Sequence, residues 1–239
     1  MQDRFKSKSM QDFVHLHVHT QYSILDGQAS ISKLVDKAIA NGMKGMAVTD
    51  HGNMFGIKEF FNYVKKLKGK NKELDFKPIF GCEVYCARRG KEKKESKIDS
   101  GGWHLILLAK NATGYHNLIK IVSRAWVDGF YMRPRTDHAD LEKYHEGIIC
   151  CSACIAGEVP SYIRSEQMDK AEESIQWFKN LYGDDYYLEL QRHEVKDPMQ
   201  RANRETFPIQ QQINRVLIQL AAKYDVKLVC TNDVHFVDE

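Results

Sequence analysis

Histidines at alternate positions, His15, His17 and His19, lie near the start of this 239-residue chain, and Asp233-Val234-His235 lies near its end. Each set sits beside an apolar run that reads as a β-strand. A strand places residues i and i+2 on one face, so each set aims its imidazoles, or an imidazole and a carboxylate, the same way. Such sets suit metal ligation. If both serve one centre, the first and last strands must meet, and that requirement constrains the fold more than any other feature.

The chain is long enough for one large domain or two small ones. Its formal charge of +3 is too mild to argue for nucleic acid by itself. No secretory leader or membrane-spanning run is legible, so a reduced cytoplasmic protein with no membrane partner is expected. Cys82, Cys86, Cys150, Cys151 and Cys230 read as core.

Residues 1–12 are polar and read as a frayed or appended segment ahead of one domain over 13–239. Strands are expected at 13–17, 45–49, 77–85, 104–109, 147–151, 186–190 and 226–230. Helices are expected at 54–68, 114–126, 169–182 and 209–224, with another following Ser30 as N-cap. That first helix carries Leu34, Val35, Ala38 and Ile39 on one face and stops at Asn41-Gly42. In the next two, Phe60, Phe61 and Val64, then Leu118, Ile119, Ile121 and Val122, should face inward. The loop 88–97 carries Arg88, Arg89, Lys91, Lys93, Lys94 and Lys97 beside Glu92 and Glu95. It reads as solvated and mobile, with a phosphate-tracking role as the alternative. Tyr131-Met132-Arg133-Pro134-Arg135 mixes aromatic and basic residues in a way that suits nucleic acid.

Alternating strands and helices indicate an α/β fold with a mostly parallel sheet. Meeting ends favour a closed barrel, whose chemistry sits at the C-terminal strand ends. His104 opens its strand instead of ending it. A hairpin that runs this strand antiparallel to 77–85 would bring His104 beside Glu83.

The candidate ligands are His17, His19, Asp26, His51, Glu83, His104, Cys154, Asp233 and His235. Imidazole and thiolate suit zinc and related ions, and carboxylates bridge ions. So many donors imply two or three divalent ions, an arrangement suited to phosphoester hydrolysis. His15 is an even choice between ligand and neighbour. His193 is a weaker candidate near a strand end, and His116, His138 and His145 fall away from strand ends. Asp50 either orients a ligand histidine or caps the following helix.

These residues resemble the motifs of the PHP (polymerase and histidinol phosphatase) domain: His17-x-His19, Thr49-Asp50-His51, Gly81-Cys82-Glu83 and Asp233-x-His235. Longer stretches resemble, more narrowly, the N-terminal PHP domain of bacterial replicative polymerase alpha subunits of the DnaE type. They are 15–27, 104–111, 129–135 and 231–236. The resemblance implies a distorted, seven-stranded, TIM-like (β/α) barrel with a trinuclear centre, and the family's ligands match all the candidates above. It also implies that the chain is part of a much longer polymerase, whose polymerising carboxylates lie elsewhere. Zn2+ is the expected metal, with Mn2+ or Fe2+ as alternatives, and Asp26, Asp233, His19 and Glu83 are the expected catalytic residues. Some members show metal-dependent 3′-5′ exonuclease activity, whereas others keep the domain as a scaffold for a separate proofreading exonuclease. The implied partners are the DNA primer 3′ end, the rest of the polymerase chain and other replisome subunits. A free-standing phosphatase is a third reading, and Leu25-Asp26-Gly27 and the 129–135 stretch argue against it.

Overall fold

The computed structural model describes residues 13–238; the segment expected to be frayed, 1–12, lies outside them. The strands are β1 (Gly45–Val48), β2 (Lys77–Cys86), β3 (Trp103–Ala109), β4 (Arg135–Thr136), β5 (Ile148–Cys151), β6 (Tyr186–Gln191) and β7 (Lys227–Thr231). The helices are α1 (Ile31–Ala40), α2 (Ile57–Lys70), α3 (Ala112–Val127), α4 (His138–Tyr144), α5 (Glu158–Arg164), α6 (Met168–Tyr182) and α7 (Phe207–Tyr224). The main sheet runs β1-β2-β3-β5-β6-β7, with the two-residue β4 beside β2. Among the described residues, no helix is long and apolar enough to cross a membrane.

The sheet curls into a barrel, closed by the stretch that the sequence presents as its first strand. That stretch forms two isolated bridges in place of a ladder, His15 to Met46 and Val18 to Val234. The chain bends at His17 and divides its hydrogen bonds between two neighbours. Ala47 N–H donates to His15 O and Thr49 N–H to Val18 O, both at 2.8 Å, while His19 N–H donates to Val234 O at 2.7 Å. The first and last segments therefore meet, as the two ligand sets require.

β3 is the strand that makes the barrel irregular. It is antiparallel to both β2 and β5, while the other pairings are parallel. Its N-terminal end consequently lies among the C-terminal ends of the other strands. The register sets His104 opposite Tyr85, as the expected hairpin demands.

Two apolar layers flank the sheet. One joins Leu107 and Leu188 to Leu118, Phe178 and Leu217 on the helices, and the other lies beneath α1 and α2. A smaller cluster of Ala47, Ile106, Leu108, Cys151 and Ala153 lies in the barrel interior, beside a cavity of about 570 Å3 lined by Leu16, Ile79, Ile149 and Val229 among others. α1 follows its sequence pattern, burying Leu34, Val35 and Ala38 and ending at Asn41 before Gly42, which has φ of 75°. Ser30 occupies the N-cap position without a side-chain capping bond. Phe61 and Ile119 are exposed, contrary to the inward placement expected, because each lies beyond the edge of its helix's apolar stripe. Cys230 is also exposed, on the uncovered face of β7. The elements absent from the sequence reading, β4, α4 and α5, are all too short for hydrophobic periodicity to mark them.

The basic loop is pinned, contrary to the mobile reading. Arg135, fully buried, donates through its guanidinium to the carbonyls of Lys91, Lys93, Asp99 and Gly129. Arg89 pairs with Asp99 and Glu95, and Lys91 pairs with Asp140. The Arg89 guanidinium holds the Asp99 carboxyl down at about 2. Arg135 is therefore a structural clasp, unavailable to nucleic acid. Arg135→Ala should cost about 2–4 kcal/mol, because it leaves buried carbonyls unpaired and opens a cavity. A drop in the urea midpoint checks this, and Arg135→Lys should not restore it, since one ammonium cannot span four carbonyls.

Candidate metal centre

Glu83 lies at the middle of the barrel mouth, fully buried on β2. Its Oε1 is 2.7 Å from His104 Nδ1 and 3.3 Å from His17 Nε2. Its Oε2 contacts His51 Nδ1 and lies 3.9 Å from His19 Nε2. Burial alone would raise the Glu83 carboxyl, but the imidazoles of His104, His17 and His51 hold it well below the ordinary carboxylate range. Asp233 behaves similarly: its Oδ1 is 3.1 Å from Nε2 of both His17 and His19. Those imidazoles overcome the opposing effect of burial and depress its pKa.

The hydrogen bonds around the centre fix which imidazole nitrogens face inward. Ser23 Oγ donates to Asp50, so it accepts from His19 Nδ1–H at 2.9 Å. His17 Nδ1–H donates to Glu189 Oε2 at 3.1 Å, and His235 Nδ1–H donates to Asp233 O at 2.9 Å. All three rings thus turn Nε2 inward, where it offers its lone pair to a cation once any proton on it has left. Nε2 of His17, Nε2 of His19 and Oδ1 of Asp233 are buried and have no hydrogen-bond partner of acceptable geometry, although they crowd together. Inward lone pairs and orphaned buried atoms form a donor set that fits bound cations.

Three overlapping groups could each hold an ion: His19, His51 and His235; His17, His19 and Glu83; and Glu83, His104 and Cys154. Within each group the ligand atoms lie within 4.8 Å of one another. His19 and Glu83 are each shared by two groups. Asp26, half exposed on the 20–27 loop, reaches His51 Nε2 at 3.2 Å, and Cys154 Sγ lies 3.7 Å from His104 Nδ1. The structure thus gathers all the candidates at one barrel mouth. Two are delivered by left-handed backbone: Asp233 has φ of 49°, and Ala153, just before Cys154, has φ of 60°. Such conformations cost about 1–3 kcal/mol each in a non-glycine residue and cluster at functional sites.

Other sequence candidates fall outside the centre. His15 turns away to pack edge-on against Phe13, because the bend at His17 breaks the strand alternation. His193 binds the carbonyl of Asn232 and the amide of Gln210. Asp50 accepts from Thr20 and Ser23, so it supports His19 through Ser23 and does not cap α2. A fourth donor group, Cys86, His138 and Glu158, lies outside the barrel. There both Glu158 oxygens are already satisfied, by His138 and Ser174.

Glu189 is the residue that sequence reasoning missed. It is buried on β6, where it orients His17 and accepts from Ala153 N–H and Thr231. The available signal was a lone carboxylate between Leu188 and Leu190, on the opposite face from both.

A family model described as PHP domain matches residues 15–193. The chain belongs to the PHP domain family. The chain is 44% identical over 227 residues to DNA polymerase III subunit alpha of Borreliella burgdorferi. It is 43% identical over 234 residues to that of Aquifex aeolicus. Each alignment covers 95% of this chain and 18% of the relative, so the chain spans about a fifth of the relatives' length. A solved structure from Bifidobacterium adolescentis, assigned provisionally as a metal-dependent phosphoesterase, superposes with a TM-score of 0.52 at 15% identity. The match covers 95% of this chain and 88% of that one, and shows a shared fold.

Two outcomes follow for this PHP centre. Glu189→Gln should weaken metal affinity about 10–100-fold, the usual effect of losing a ligand-orienting carboxylate, as read by competition with a chromogenic chelator. Burial would lower the His17 pKa, but Asp233 and Glu189 raise it well above 6.5. A proton therefore still competes with metal at pH 6.5, so affinity should keep rising as the pH is raised from there. A flat affinity above pH 6.5 would contradict this assignment.

Proposed function

We propose that this chain is the N-terminal PHP domain of a bacterial DNA polymerase III alpha subunit, and that its centre hydrolyses phosphodiesters at the 3′ end of a DNA strand. The observation that carries the reading is the convergence of the complete donor set on one mouth, with inward Nε2 lone pairs and orphaned buried atoms. His17, His19, Asp26, His51, Glu83, His104, Cys154, Asp233 and His235 would hold two or three divalent ions, with zinc suited to the imidazole and thiolate donors and manganese or iron as alternatives. Such ions, when bound, supply Lewis acidity and a water of lowered pKa.

The chain's own residues do the rest. Glu83 and Asp233 supply charge that balances the cations, and His19 is shared between two donor groups. Ser23, Asp50 and Glu189 lock the ring orientations of His19 and His17. Asp26 lies on the open side, with about half of its side chain exposed, where a substrate phosphate would arrive. The polymerising site, the template and primer, the partner exonuclease and other replisome subunits belong to the longer protein in this reading.

The purified chain, supplied with zinc or manganese, should release nucleotides from the 3′ end of single-stranded DNA. His19→Ala or Asp233→Ala should lower the rate at least about 100-fold, since each removes a group that positions ions. Equal rates in the metal-loaded wild type and in these variants would refute the reading. A metal-stabilised scaffold predicts a different result: chelation lowers the melting temperature, yet no metal supports hydrolysis.

A further inference from the structure

A strip of exposed rings lies beside the centre. Phe55, Trp126 and Phe130 are 57%, 42% and 45% exposed. Trp126 stacks on Phe130 with ring centroids 5.6 Å apart, and Phe55 lies 6.1 Å from Trp126 with its ring tilted by 39°. The strip is bonded to the site's own backbone. Trp126 Nε1–H donates to Gly52 O at 2.8 Å, and Gly52 N–H donates to Glu83 O at 2.8 Å. Gly52 follows His51 and has φ of 60°, and a Cβ there would lie 2.6 Å from Pro134 Cγ, so this junction accepts little but glycine. Arg133 lies over Tyr85 at 4.8 Å, and Tyr85 in turn faces His51 and His104.

Beyond Phe55 the strip runs into a shallow groove of about 580 Å3 on α2, lined by Tyr22, Lys58, Asn62 and Lys66 among others. Glu59 in this groove accepts from Tyr22 and Gln21, while Lys58 and Lys66 make no ion pair among the described residues. An apolar patch alone would suit a protein partner. Partly exposed rings followed by lysines without an ion pair, at the edge of a phosphate-directed centre, suit a single strand, whose bases stack on aromatic rings while its backbone follows positive charge.

We propose that Phe130, Trp126 and Phe55 form a stacking strip for the bases of single-stranded nucleic acid, with Lys58 and Lys66 contacting its backbone, so that a strand end is led to the His51 side of the centre. This rests on the phosphodiesterase reading above.

The test uses an oligothymidylate of about eight nucleotides, within the usual 4–16 nucleotide range of such sites, and a chelator to prevent hydrolysis. The three tryptophans are Trp103, Trp126 and Trp177. Trp103 is buried and Trp177 stacks on His138, so quenching of fluorescence reports Trp126 and should vanish in Trp126→Phe. Phe130→Ala and Phe55→Ala should each weaken binding about 10-fold while keeping the melting temperature and metal content of the wild type. Lys58→Gln combined with Lys66→Gln should reduce the salt dependence of binding. Absence of quenching, or unchanged affinity in both alanine variants, overturns the proposal. So does a concentration-dependent blue shift of Trp126 that the oligonucleotide leaves untouched, which would mark a protein interface instead. Hydrolysis of bis(p-nitrophenyl) phosphate by the wild type separates the two claims. Quenching without hydrolysis refutes the phosphodiesterase reading and supports the strip, and hydrolysis without quenching refutes the strip alone.

Discussion

Everything at the barrel mouth depends on one buried carboxylate. Glu83 has no access to water, and a lone charge there would cost several kcal/mol. It is compensated by imidazoles drawn from separate parts of the chain: His17 from the closing segment, His51 after β1 and His104 from the start of β3. His17 and His104, and the neighbouring Asp233, are placed by backbone that would be organised differently in a regular barrel. β3 is reversed, the closing segment bends at His17, and Asp233 is left-handed. The irregularities of the fold are thus the features that aim donors at Glu83.

The two ends of the barrel interior divide the work. Below the mouth, Ala47, Ile106, Leu108, Cys151 and Ala153 form an apolar cluster. Above it the polar set is dense, and its members are tied to supporting groups: His19 to Ser23 and Asp50, His17 to Glu189. Such support fixes ring orientation before any ion arrives, so little conformational freedom remains to be lost on binding. Because the candidate ligands span His17 to His235, ion binding would also tie the two ends of the domain together and couple metal to folding.

Much of this arrangement was legible in the residues. Histidines at i and i+2 beside apolar runs, and an acid or histidine at successive strand ends, marked the donors. The need to bring Asp233 and His235 to His17 and His19 implied closure, and the awkward position of His104 implied an antiparallel hairpin. What escaped was tertiary in origin. The bend at His17 that expels His15 is set by competition between two neighbouring strands for hydrogen bonds. Arg135 read as one of a mixed aromatic and basic set, because nothing local shows that three carbonyls of the distant 91–99 stretch converge on it along with that of Gly129. Glu189 passed as an ordinary strand residue, since its role appears only once β6 lies beside His17.

The most direct test of the central claim is the metal content of the chain purified without chelator or metal-binding tag, measured by elemental analysis. A single polynuclear centre built on Glu83 predicts two or three divalent ions per chain, with a clear loss in Glu83→Gln. Metal content near zero in the wild type, or content unchanged by Glu83→Gln, would contradict it.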